Sequence, residues 1–200
     1  MVGVNGSNQR PERCYAARVD PEERYGAYVA QLERAYRLRI VCKPESRLHR
    51  AIHKALIVVT LGGMRSYLDG YQTTIGRTVY VTGDWDQRDA NERYCTLRHE
   101  AVHLEQFRRW TLPGMAICYL LFPLPLGLAY FRARFEMAAY EESIRVAAEV
   151  YGPAYPRQDW YRAHVIEQFT GPSYGWMWPF RASLERWYDE VLASLPAGVS

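Results

Sequence analysis

Charge of one sign is what this chain most lacks. Its 25 Lys and Arg stand against 22 Asp and Glu, a net +3 over 200 residues. That balance does not suit a phosphate-binding surface, so nucleic acid is not an expected partner. Cysteine is sparse as well. Cys14, Cys42, Cys95 and Cys118 lie far apart with no CxxC spacing, which excludes a thiolate zinc site and the dense disulfide framework of a small secreted protein. Reduced, mostly buried thiols are expected. The opening MVGVNGSNQRPER has no apolar run of signal-peptide length, so the sequence reads as a cytoplasmic protein. Internal repeats and low-complexity tracts are missing too.

Apolar material is plentiful: 48% of residues are hydrophobic, with sixteen Tyr and six Trp. Disorder is thereby disfavoured and one sizeable core is expected. Residues 1–19 read as an N-terminal arm and 20–200 as a single domain. Asp20-Pro21-Glu22-Glu23 has the form of a helix start, a capping Asp followed by Pro at the first helical position. Helical spacing of Tyr25, Tyr28, Val29, Leu32, Ala35 and Tyr36 then carries that helix to about Leu38. A second helix is predicted over Glu45–Val59, with Leu48, Ile52, Leu56 and Val59 on one face. Short strands follow. Thr78–Thr82 is a β-branched and aromatic run, and Gly76-Arg77 is a turn signal that suggests a hairpin. Further helices are predicted from Asn91 or Thr96 to Arg109, from Ala129 to Tyr151 before Gly152-Pro153, and near Arg157–Phe169 and Arg181–Leu195. The fold class is α+β, mainly helical, with a small sheet beside the Asn91–Arg109 helix.

That helix contains His99-Glu100-Ala101-Val102-His103. Histidines four apart on a helix stand one turn above each other, so both imidazoles can reach one metal. The glutamate between them can take a proton from a metal-bound water without itself binding the metal. Zinc suits such a site because imidazole and carboxylate ligands hold it with a fourth position open. With five His in the chain, the HExxH string arises by chance in roughly one sequence in a hundred of this length. Leu97, Ala101 and Leu104 add an apolar stripe that would bury the helix.

A third ligand must come from elsewhere. The Gly and His that a metzincin carries after its second motif His are replaced here by Gln106 and Arg109, which rules that class out. Glu136, in Phe135-Glu136-Met137-Ala138-Ala139, has apolar surroundings and two small residues that permit close helix packing. It is preferred over Glu141, Glu142 and Glu149, which read as solvated helix charges. Gln106 could support His103 from behind. Tyr140, one turn after Glu136, is the first candidate to stabilise a developing oxyanion, with Tyr161 and His164 as others. His49 and His53 form another i,i+4 pair but have no carboxylate at hand, so a packing role is expected.

In His99, Glu100, His103, Gln106, Phe135, Glu136 and Ala139 the chain resembles the gluzincin zinc metallopeptidases, especially small bacterial proteins with an HExxHxxQ string, an apolar stretch and an FExxA-like helix. The similarity covers about residues 70–150. It implies a zincin-like fold, a Zn²⁺ held by His99, His103 and Glu136, and Glu100 as the water-activating residue. The gap between motif and third ligand is longer than in thermolysin-like enzymes, and no ExxxD string follows Glu136, so the oxyanion-binding residues are not carried over.

One stretch bears on placement in the cell. Trp110–Phe131, 22 residues, contains no charged side chain and could in length cross a bilayer. A crossing would put His103 and Glu136 roughly 30 Å apart, whereas ligands of one zinc lie about 2 Å from it. A hairpin bent at Phe122–Pro125 resolves the conflict, buried in preference to touching a membrane or a protein. The expected activity is zinc-dependent hydrolysis of peptide bonds, with a peptide paired along the edge of Thr78–Thr82. The rival readings are a catalytically silent zincin scaffold that binds a partner, and a zinc amidase acting on cell-wall peptides.

Overall fold

The computed structural model describes residues 19–46, 49–50, 53, 70–120, 130–171, 177–178 and 180–195. Helix α1, Pro21–Tyr36, starts as its sequence requires: the Asp20 carboxylate accepts the backbone N–H groups of Glu22 (2.9 Å) and Glu23 (3.1 Å). It stops when Arg37 turns into the left-handed region at φ 55° and returns its N–H to the Glu33 carbonyl. Strand β1, Arg39–Cys42, follows at once. Most of the predicted Glu45–Val59 helix lies outside the described residues.

β2, Thr73–Ile75, and β3, Thr78–Val81, form the expected antiparallel hairpin. Gly76, at φ 61°, supplies the positive backbone angle of its turn. The sheet order is β1-β3-β2, with β1 parallel to β3. One expectation is thereby corrected. Thr78–Val81 is the central strand, paired on both sides, and cannot take up a peptide along an edge. The strand was mistaken for an edge because β1 pairs with it across 39 residues of sequence, beyond the reach of local pattern.

Val79 and Val81 point from β3 into a core shared with Leu32, Leu38, Trp85, Leu97 and Leu104. The last two belong to α2, Ala90–Leu120, whose apolar stripe packs as predicted. α2 is broken at Thr111, which adopts φ 61° and ψ 166° two residues before Pro113. Proline cannot donate a helical hydrogen bond and crowds the preceding turn, so the regular limb ends at Trp110, close to the expected Arg109. α3, Tyr130–Tyr151, ends at Gly152 with φ 98°. α4, Asp159–Thr170, and α5, Arg181–Ser194, pack on α3 through a second core built on Ile144, Val165, Ile166, Phe169, Leu184 and Tyr188.

α2 and α3 make the most extensive helix pair among the described residues. Arg98 fastens it. Its guanidinium reaches Glu142 (2.5 Å), Glu149 (3.1 Å) and the Tyr94 hydroxyl (2.6 Å). Glu142 and Glu149 therefore are not simply solvated charges; they are the α3 half of an interhelical clamp. Glu141 does lie on the surface, paired with Arg145. Cys42 and Cys95 are free, half-buried thiols. None of the described helices is long and apolar enough to cross a membrane.

Candidate metal centre

Where α2 meets α3, the two motif histidines and Glu136 converge. Their imidazole and carboxylate atoms all lie within 4.8 Å of one another, and this is the metal-capable group found among the described residues. The individual edges are more informative. His99 Nε2 and His103 Nε2 are 3.3 Å apart, and Glu136 Oε2 lies 3.7 Å and 3.6 Å from them. Ligands at 2.0–2.1 Å in tetrahedral array stand about 3.3 Å from each other. The triangle thus fits the base of such a site with little adjustment.

Both imidazoles are oriented from behind, through Nδ1. Gln106 Nε2 donates to the Phe135 carbonyl (3.1 Å), which aims its own carbonyl oxygen at His103 Nδ1 (2.9 Å). That oxygen can only accept, so a His103 ring proton resides on Nδ1. Ser143 Oγ donates its single proton to the Ala139 carbonyl (3.2 Å) and so accepts from His99 Nδ1 at 2.9 Å. Each Nε2 is turned toward Glu136, and the carboxylate favours a proton on that of His103, which a metal ion would have to replace. These are the supporting contacts that orient ligating histidines in metal sites.

The charges are severe for so enclosed a place. Burial opposes the imidazolium form of both histidines. In His99 it prevails, aided by the neighbouring His103, and the group stays below its ordinary range. In His103 burial is outweighed by the Glu136 carboxylate, which holds the imidazole up at about 9. Burial would likewise raise Glu136, yet His103, His99 and Arg132 keep it down at about 2. A buried carboxylate facing two imidazole nitrogens could hold a metal ion.

Glu100 is buried beside the triad, 5% exposed. Its charge acts on both imidazoles. Thr74 Oγ1, from β2, donates to Glu100 Oε2 at 2.6 Å, which fixes one carboxylate oxygen and leaves the other uncommitted by this bond. Tyr140 sets its ring edge-on to His99 (4.8 Å between centroids) and against Phe169 (5.3 Å). Tyr161 is less available, since its hydroxyl donates to the Ser143 carbonyl (3.3 Å). His164 is exposed on α4. His49 and His53 are not part of the cluster; His49 is fully buried, its ring 4.1 Å from that of Tyr80. Of the two small residues after Met137, Ala139 is buried in the helix pair and Ala138 is exposed.

Thr74 and Ser143 escaped the sequence reading. Ser143 carries a usable signal: it follows Glu136 by seven residues, two turns along the same face of α3. Thr74 carries none, because its partner lies on another element. Scanned against protein-family models, curated proteins and solved structures, the chain matches none. The reading of the site rests on its own geometry.

Proposed function

We propose that the chain is a zinc-dependent hydrolase of peptide bonds, a zincin of the gluzincin type. The observation that carries this reading is the triangle of His99 Nε2, His103 Nε2 and Glu136 Oε2, with both Nδ1 atoms already committed to Gln106 and Ser143. Two nitrogens and one oxygen suit zinc, and three protein ligands leave a position open for chemistry. A zinc ion held there would supply Lewis acidity, acidifying water and polarising a carbonyl.

The remaining roles fall to the chain itself. Glu100 accepts the proton of the attacking water and passes it to the leaving amine. Thr74 restrains that carboxylate by binding one oxygen, so the other takes part in proton transfer. Tyr140, against His99, is the residue assigned to meet the developing oxyanion. β2, which supplies Thr74, is the strand beside the site, and its side away from β3 has no strand partner among the described residues. An extended peptide laid there would add a strand and bring its carbonyl toward the cluster.

The test pairs metal analysis with turnover. Purified wild type is expected to hold about one zinc per chain, and His103→Ala and Glu136→Ala to lose it. Glu100→Gln should keep the metal while losing hydrolysis of an unstructured peptide substrate. Equal silence of wild type and Glu100→Gln, both loaded with zinc, would leave a metal-binding scaffold and overturn the enzymatic reading.

A further inference from the structure

Exposed large apolar side chains are unevenly distributed. Eight are exposed among the described residues, and five of them, Trp110, Leu112, Tyr130, Phe131 and Phe180, gather where α2 breaks and α3 begins. Ring contacts link three of them, Tyr130, Phe131 and Phe180, through Trp178. Tyr130 touches Phe131 (5.6 Å) and Trp178 (5.8 Å), and Trp178 touches Phe180 (5.3 Å). Trp110 lies against Phe135, one turn on from Phe131 (5.8 Å). Exposed aromatic clusters of this kind mark binding surfaces.

What surrounds the cluster selects the occupant. Arg109, Arg134 and Arg186 are exposed at its margin, and none has an ion-pair partner among the described residues. Tyr130, Met137, Trp178 and Trp187 line a cavity of about 260 Å³, with Arg134 and Arg186 also in its wall and Glu190 as its one acidic neighbour. Between Arg109 and Arg132 the sequence has no charged residue, and positions 121–129 are Leu, Phe, Pro, Gly and Ala alone. A protein partner would need carboxylates to answer these arginines. A bilayer containing anionic phospholipid offers both halves at once: phosphates for the guanidinium groups, and an interfacial zone that Trp and Tyr side chains favour.

We infer that this face docks the protein on an anionic phospholipid bilayer, lying on the membrane without crossing it. Leu112 and the rings enter the interface while Arg109, Arg134 and Arg186 meet phosphate groups. The consequence for the cluster at His99 is positional. Glu136 follows Phe131 by five residues and His103 precedes Trp110 by seven, which is about 8 and 10 Å of helix. The candidate metal centre would therefore work close to the bilayer surface, on substrates attached to it or embedded in it.

Flotation of the full chain with vesicles tests the inference. Phosphatidylcholine vesicles are compared with ones containing roughly one-third phosphatidylglycerol. Wild type is expected to partition at least about tenfold better onto the anionic vesicles. Arg134→Gln with Arg186→Gln should weaken that partition about thirtyfold, the loss of two cations each worth about 1 kcal/mol near an anionic surface. Trp110→Ser with Tyr130→Ser should reduce it at least about tenfold. Unaltered thermal melting keeps either loss from being a folding defect. Wild type left unbound by both vesicle types overturns the proposal, as does wild-type binding by both double variants. A dimer that Trp110→Ser dissociates, without vesicle binding, also overturns it and assigns the face to a second copy.

Discussion

Thr74 and Glu100 are joined by a buried 2.6 Å hydrogen bond, from a strand to the motif helix. Only one of the two carboxylate oxygens is engaged in it, so the bond orients Glu100 without disabling it. Thr74→Val keeps the β-branched shape and removes the donor. On the proposed function, turnover should fall about tenfold, the effect of a base that loses its alignment. KM and bound metal should be little changed. Thr74→Ser should recover most of the loss. A rise in KM together with a loss of metal would instead mean that Thr74 is needed only for folding.

The two contacts behind the histidines lead to a separable expectation. Gln106→Ala removes the acceptor that fixes His103 Nδ1, and Ser143→Ala removes the one that fixes His99. Each should weaken zinc binding by about 10–100-fold, the usual cost of losing such support. Competition with a chromophoric chelator measures it directly. Unchanged affinity in both variants would show that packing alone holds the rings in place.

How far the sequence foretold this arrangement depended on distance along the chain. The α1 start at Asp20, the β2–β3 turn at Gly76 and the α3 stop at Gly152 rest on residues within a few positions of each other, and their chemistry is local. His99 and His103 share one helix, so their pairing could be read from spacing alone. Glu136 needed a second inference, supported by the buried residues around it. Beyond that range the signal vanished. β1 is four residues long and gains its place only by pairing with β3, so propensity could not announce it. That pairing turned a supposed edge strand into a central one. Charges on α3 misled for the same reason, since Glu142 and Glu149 look solvated until Arg98 arrives from α2.

Arg98 itself should matter for stability. It adjoins His99 and is only 21% exposed at its side chain, bound to two carboxylates and a phenol. Arg98→Met preserves much of its stem but strands Glu142 and Glu149 beside each other. Removing one partner of such a half-buried network should cost about 2–3 kcal/mol. Urea unfolding measures this. Glu142→Gln should cost less, because Arg98 keeps Glu149 and Tyr94. Equal loss from both variants would count against the clamp as the element that joins the helices.

The last expectation concerns acid. His49 is fully buried, and burial, with the Lys43 ammonium adding to it, holds the imidazole down to about 4. In the unfolded chain the same group takes its proton near 6.5. As pH falls through 6.5, the unfolded state gains a proton that the folded state refuses until about 4. Stability must decline across that window and level off below it. The decline attributable to this residue is on the order of 2–3 kcal/mol. His49→Phe retains a ring beside Tyr80 and removes the titration, so its stability should be flatter between pH 6.5 and 4. Urea midpoints at pH 7, 5.5 and 4.5 decide the matter. Parallel loss in both proteins would place the acid sensitivity elsewhere, with the carboxylates that pair Arg98 as the next groups to substitute.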